Sequence, residues 1–100
     1  MNAGDIVKQI IGRAFEIMDG YGLGPGAFNE IQQEATKLSQ ILLDANATPE
    51  AKDAARKALR SIPIRIKEQA VTAREDVLGR LRFIGDTLVR VVLGIADLGA

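Results

Sequence analysis

The sequence predicts an all-α fold: an elongated antiparallel helical bundle of three to four helices, ending in a long C-terminal helix kinked at Pro63. Three observations lead there. Apolar residues recur at helical spacing along most of the chain. Helix breakers are confined to a few short stretches. The apolar fraction of 47% comes with only 4% aromatics, so any core is built of Ile, Leu, Val and Ala. One hundred residues make a single domain, 1–100, with room for one core.

The first helix is expected over 5–19, with Asp5 as its N-cap. Val7, Ile10, Ala14 and Ile17 step by three, four and three, and mark the face turned to the core. Gly20 is the expected stop, as a C′ residue. GYGLGPG follows at 20–26, with four glycines and one proline, and residues 20–24 are read as a linker.

Pro25 suits the first turn of a helix, so the second helix is expected over 25–46. Its Phe28, Ile31, Ala35, Leu38, Leu42 and Ala45 form a heptad seam of coiled-coil type. Thr48-Pro49-Glu50 then restarts a helix over 49–62: threonine caps, proline takes N1, and glutamate suits the positive end of the dipole.

From Ala51 to Leu98 the apolar positions keep a mean step of about 3.6 residues, the α-helical period. Pro63 lies inside this run. It either reverses the chain or kinks the helix, and the phase kept from Ile62 to Ile66 favours a kink. A helix over 63–98 is therefore expected. Val71, Leu78, Val89 and Val92 form a second apolar strip on it, which one chain need not cover; an uncovered strip points to self-association.

Charge is zero overall but uneven. Residues 1–51 hold three Lys/Arg and seven Asp/Glu, while 52–100 hold ten and six. The two halves can fold together or pair with a copy of the chain.

Chemistry is sparse. The chain has no Cys or His, which removes disulfides, Cys- or His-based zinc sites and His-based triads. Ser39 and Ser61 lack any nucleophile context, so no catalytic residue, cofactor or metal ligand is assigned. DGYGLGPGAFNE, residues 19–30, has the length and the end acids of an EF-hand loop. Its middle positions Tyr21, Leu23 and Ala27 lack the side-chain oxygens calcium needs, so it reads as a linker. With no signal-peptide pattern and no apolar run of membrane-spanning length, a soluble, cytoplasmic protein is expected.

The function expected from these features is a non-enzymatic protein–protein interaction module. It would act as a homo-oligomeric structural, adaptor or inhibitor protein and bind itself and another protein. The expected interface is Val77, Leu78, Leu81, Ile84, Leu88, Val89, Val91, Val92 and Ile95. Two alternatives remain. Lys52, Arg56, Lys57, Arg60, Arg65 and Lys67 could contact nucleic acid phosphates. Residues 81–98 could form a membrane-active amphipathic helix, although their mixed charge argues against it.

Overall fold

The computed structural model describes residues 2–24 and 26–99. It is all-helical, in five elements: α1 (Ala3–Asp19), α2 (Asn29–Leu43), α3 (Pro49–Arg60), α4 (Ile62–Gln69) and α5 (Glu75–Gly99). No strand occurs among the described residues. α1 packs against α2 and α5, α2 against α3, and α4 against α5. The radius of gyration, 13.5 Å, matches the ~13 Å of a compact domain of this length.

α1 starts two residues earlier than the sequence suggests. Asn2, not Asp5, is its N-cap: the Asn2 Oδ1 accepts a hydrogen bond from the Asp5 backbone N–H at 2.8 Å. Asp5 falls at the third helical position, where its charge complements the dipole. Gly20 ends α1 with a right-handed backbone, φ −64°. The left-handed residues come later, at Gly22, Gly24 and Gly26, with φ of 73°, 117° and 69°. Positive φ suits glycine, which explains the glycine density here. These turns carry the linker past residue 24. Asn29 N–H donates to the Gly26 carbonyl at 3.1 Å, and α2 begins only at Asn29. The start expected at Pro25 lies outside the described residues.

α2 ends at Leu43, three residues before the expected 46. Asp44 is extended (ψ 115°) and its Oδ1 accepts from the Asn46 N–H at 2.8 Å. That local Asx bond competes with continuation of the helix. The next start is as the sequence implies: Thr48 Oγ1 accepts from the Ala51 N–H at 3.1 Å, with Pro49 leading the helix. α3 stops at Arg60. Ser61 alone, in a right-handed conformation, separates it from α4, and Pro63 lies in the first turn of α4.

The single helix expected over 63–98 is not present. α4 ends at Gln69 and a turn through 70–74 leads into α5. Ala73 N–H closes this turn on the Ala70 carbonyl at 2.9 Å. α4 is folded back on α5, as one contact shows. A Cβ placed on Gly85 would come 3.1 Å from Ile66 Cδ1 and 3.4 Å from Pro63 Cα. In an unbroken helix, residues 66 and 85 would be about 28 Å apart. An apolar period reports which face is buried, but not whether the chain turns between two such faces.

The core draws on every helix: Val7, Ile11, Phe15 and Met18; Phe28, Ile31, Ala35 and Leu42; Ala55 and Leu59; Ile62, Ile66 and Ala70; Leu81, Leu88, Val89, Val92 and Ala96. Ser39 is buried with them, and its hydroxyl donates to the Ala35 carbonyl at 2.7 Å. That bond satisfies the one buried polar side chain among the described residues. Of the seam expected on α1, only Val7 is fully buried. The core face is turned by about one residue, roughly 100°. Both faces of α1 are apolar, and Phe15 and Met18 remove the most surface from water on the face that wins.

Candidate functional site: an apolar groove between α1 and α5

The face of α1 that the core leaves out has a partner in α5. Ile6, Ile10, Ala14 and Ile17 of α1 line a groove with Phe83, Ile84, Thr87, Leu88 and Val91 of α5. The groove holds about 410 Å³. Gln9 and Arg13 supply its polar margin on α1. Helical spacing explains the lining: 6, 10, 13 and 17 share one stripe of α1, and 84, 87, 88 and 91 share one stripe of α5. The hydrophobic side chains left open to water are Ile6 (38%), Ile17 (47%), Phe83 (70%) and Val91 (38%). Such a cluster differs from single exposed residues like Ile64, Val71 and Leu98. Contiguous apolar surface marks a contact site more often than scattered side chains do.

The nine residues expected to form the interface divide sharply. Leu81, Leu88, Val89 and Val92 are buried in the core of the single chain. Val77, Leu78, Ile84 and Ile95 are half-buried and pack against that core. Val91 alone is exposed. Of the second apolar strip, Val89 and Val92 are buried inside the fold, Leu78 is half-buried, and Val71, in the turn before α5, is exposed. Sequence reasoning missed the α1 half of the groove and Phe83. The available signal was the width of the apolar stripe on α1, where Ile6, Ile10 and Ile17 stand beside Val7, Ile11 and Met18.

The basic segment does not form one free stripe. Arg56 pairs with Asp97 at 3.0 Å, and Lys57 with Asp53 at 3.4 Å. Arg65 bonds Glu34 of α2, a half-buried link between the basic and acidic halves of the chain. Lys52, Arg60 and Lys67 carry no ion pair among the described residues. The end acids of the glycine loop fall on different helices: Asp19 closes α1 and Glu30 sits in the first turn of α2. Among the described residues no group of three or more acids could hold a metal ion. None of their helices is long and apolar enough to cross a membrane.

Of the charged side chains, Arg13 lines the groove, and it lies 3.6 Å from Glu16 on α1. That pair is well exposed and adds little to the stability of the helix. No family model matches the chain, and no curated protein or solved structure matches it.

Proposed function

We propose that the chain is a non-enzymatic protein–protein interaction module that works as a homo-oligomer, in a structural, adaptor or inhibitor role. The observation that carries this reading is the groove between α1 and α5, with Phe83 standing 70% exposed at its edge. A phenyl ring left in water forgoes the burial of about 150–250 Å² of mostly apolar surface. Contact with another protein surface recovers it. The site shifts from the nine residues of α5 to a face shared by both helices, with Ile6, Ile17, Phe83 and Val91 as its apolar centre.

Two finer structural points belong to this proposal. The longest dimension, 41 Å against a shortest of 19 Å, suits an elongated antiparallel arrangement that leaves the α1/α5 face along one side. Pro63, two residues beyond Ser61, is proposed to kink the path from α3 into α4. Nucleic acid binding is the weaker reading, because Arg56 and Arg65 are already held by Asp97 and Glu34.

NMR on dilution tests the self-association. The methyl signals of Ile6, Ile17 and Val91 and the ring signals of Phe83 should move as the concentration falls. Amides on the polar face of α2, such as Gln33 and Lys37, should stay still. Spectra that do not change with concentration would remove the homo-oligomer.

A further inference from the structure

We infer that the turn at 70–74 is a hinge, through which α4 and α5 open into one helix and two copies of the chain exchange their α5 helices. This rests on the homo-oligomer proposed above and gives it a route that does not use the groove. Three features single out this turn. First, it lacks what holds the other connections. The linker after α1 has glycines at positive φ, and the connection from α2 to α3 has the Asp44 turn and the Thr48 cap. Residues 70–74 read AVTAR, with no glycine, no proline and no positive φ. α4 ends on Ala70 rather than on a glycine, and Arg74, just before α5, has no acceptor with which to cap it. The ion pair of Arg74 with Asp76, at 3.4 Å, is exposed and holds little.

Second, the backbone suits a straight path. The N–H groups of Val71, Thr72, Arg74, Glu75, Asp76 and Val77 make no backbone hydrogen bond in the closed chain. A continuous helix gives each of them the carbonyl four residues back. Straightening gives up the bond from the Ala73 N–H to the Ala70 carbonyl. The apolar phase survives as well. Ile66, Ala70, Ala73, Val77 and Leu81 step by four, three, four and four, and share one stripe of the opened helix.

Third, the seat that α5 leaves fits a copy of α5. Leu81, Leu88, Val89, Val92 and Ala96 belong to the core, and Gly85 admits Ile66 and Pro63 at close range. Exchange remakes each of these contacts between two chains, so no core burial is lost. A foreign helix does not carry this pattern. Exchange of an identical element is a low-cost route to a dimer.

The test refolds the full-length chain from denaturant at low and high concentration and reads mass by light scattering. The chain has no cysteine, so Ile64→Cys and Asp86→Cys, at exposed sites on α4 and α5, place two spin labels in one chain. In the closed chain Pro63 and Gly85 nearly touch, which holds positions 64 and 86 within about 13 Å. On one straight helix they are about 33 Å apart. Doubly labelled chain refolded in excess unlabelled wild type reports the distance within one chain. In material of twice 10.7 kDa that distance should lengthen to about 33 Å. The doubled mass should also decay slowly on dilution, because return requires α5 to leave the core. Val71→Ala with Thr72→Ala favours the helix and should raise the dimer yield several-fold; Val71→Gly with Thr72→Gly should lower it. A doubled mass with a short distance within the chain, or a yield indifferent to both hinge variants, would overturn the exchange and leave the homo-oligomer standing. A mass of 10.7 kDa under every condition overturns both.

Discussion

Valine at Gly85 probes the seat of α4 on α5. Gly85 is in the interior of α5, where glycine costs about 1 kcal/mol relative to alanine. On propensity alone, Gly→Val should gain a few tenths of a kcal/mol. The structure opposes that gain. A first carbon at Gly85 already lies 3.1 Å from Ile66 Cδ1 and 3.4 Å from Pro63 Cα. The Ile66 methyl can rotate away, but the Pro63 backbone cannot. Alanine should therefore be close to neutral, with its propensity gain offset by a small repacking. Valine adds two methyls against a fixed backbone and should cost about 1–3 kcal/mol by overpacking. Gly79 is the control: it is on the same helix, exposed, with nothing within 4 Å of an added Cβ. Melting followed by far-UV circular dichroism reads the difference. For a chain of this length each kcal/mol moves Tm by about 4–8 °C. Gly85→Val should melt at least ~5 °C below Gly79→Val. Equal melting temperatures would mean that α4 does not rest on α5 there, and the unbroken C-terminal helix would have to be reconsidered.

Other substitutions give further outcomes. Thr48→Ala removes the bond to the Ala51 N–H and should cost about 1 kcal/mol in urea unfolding, with the fold retained. Leu88→Asp sets a carboxylate at a position only 4% exposed, so it should abolish the cooperative melt; a variant that stays helical and folded would misplace the core. A double-mutant cycle with Glu34→Gln and Arg65→Met should give a coupling of at most about 1 kcal/mol that shrinks with added salt, because both side chains are about a third or more exposed. Calcium added in excess should leave Tm unchanged; a rise would point to ligands at Asp19 and Glu30.

Local signals in the sequence transferred well to the structure where a side chain itself does the work. The restart at Thr48-Pro49 is one such case, because capping and a fixed proline φ act within four residues. The all-helical character is another, since the 3.6-residue period survives in every element. Direction was not legible. The period from Ala51 to Leu98 runs through the turn at 70–74 as if nothing happened there. Ala70 and Ala73 keep phase because both faces they join are buried, α4 against α5. The rotation of α1 was not legible either. Ile10 and Ile11 are equally apolar, and only the bulk of Phe15 and Met18 packed against neighbours selects one face. The same ambiguity hid the groove. With the core face of α1 turned by about one residue, Ile17 moves from the expected core seam to the surface beside Ile6; separately, Leu81, Leu88 and Val92, expected at an interface, lie in the core.

The mass of the wild-type chain in solution, followed by light scattering over a range of concentrations, tests the central claim most directly. The account predicts a concentration-dependent rise from 10.7 kDa to twice that value, as the α1/α5 faces of two copies close on each other. A constant 10.7 kDa up to the solubility limit would contradict it.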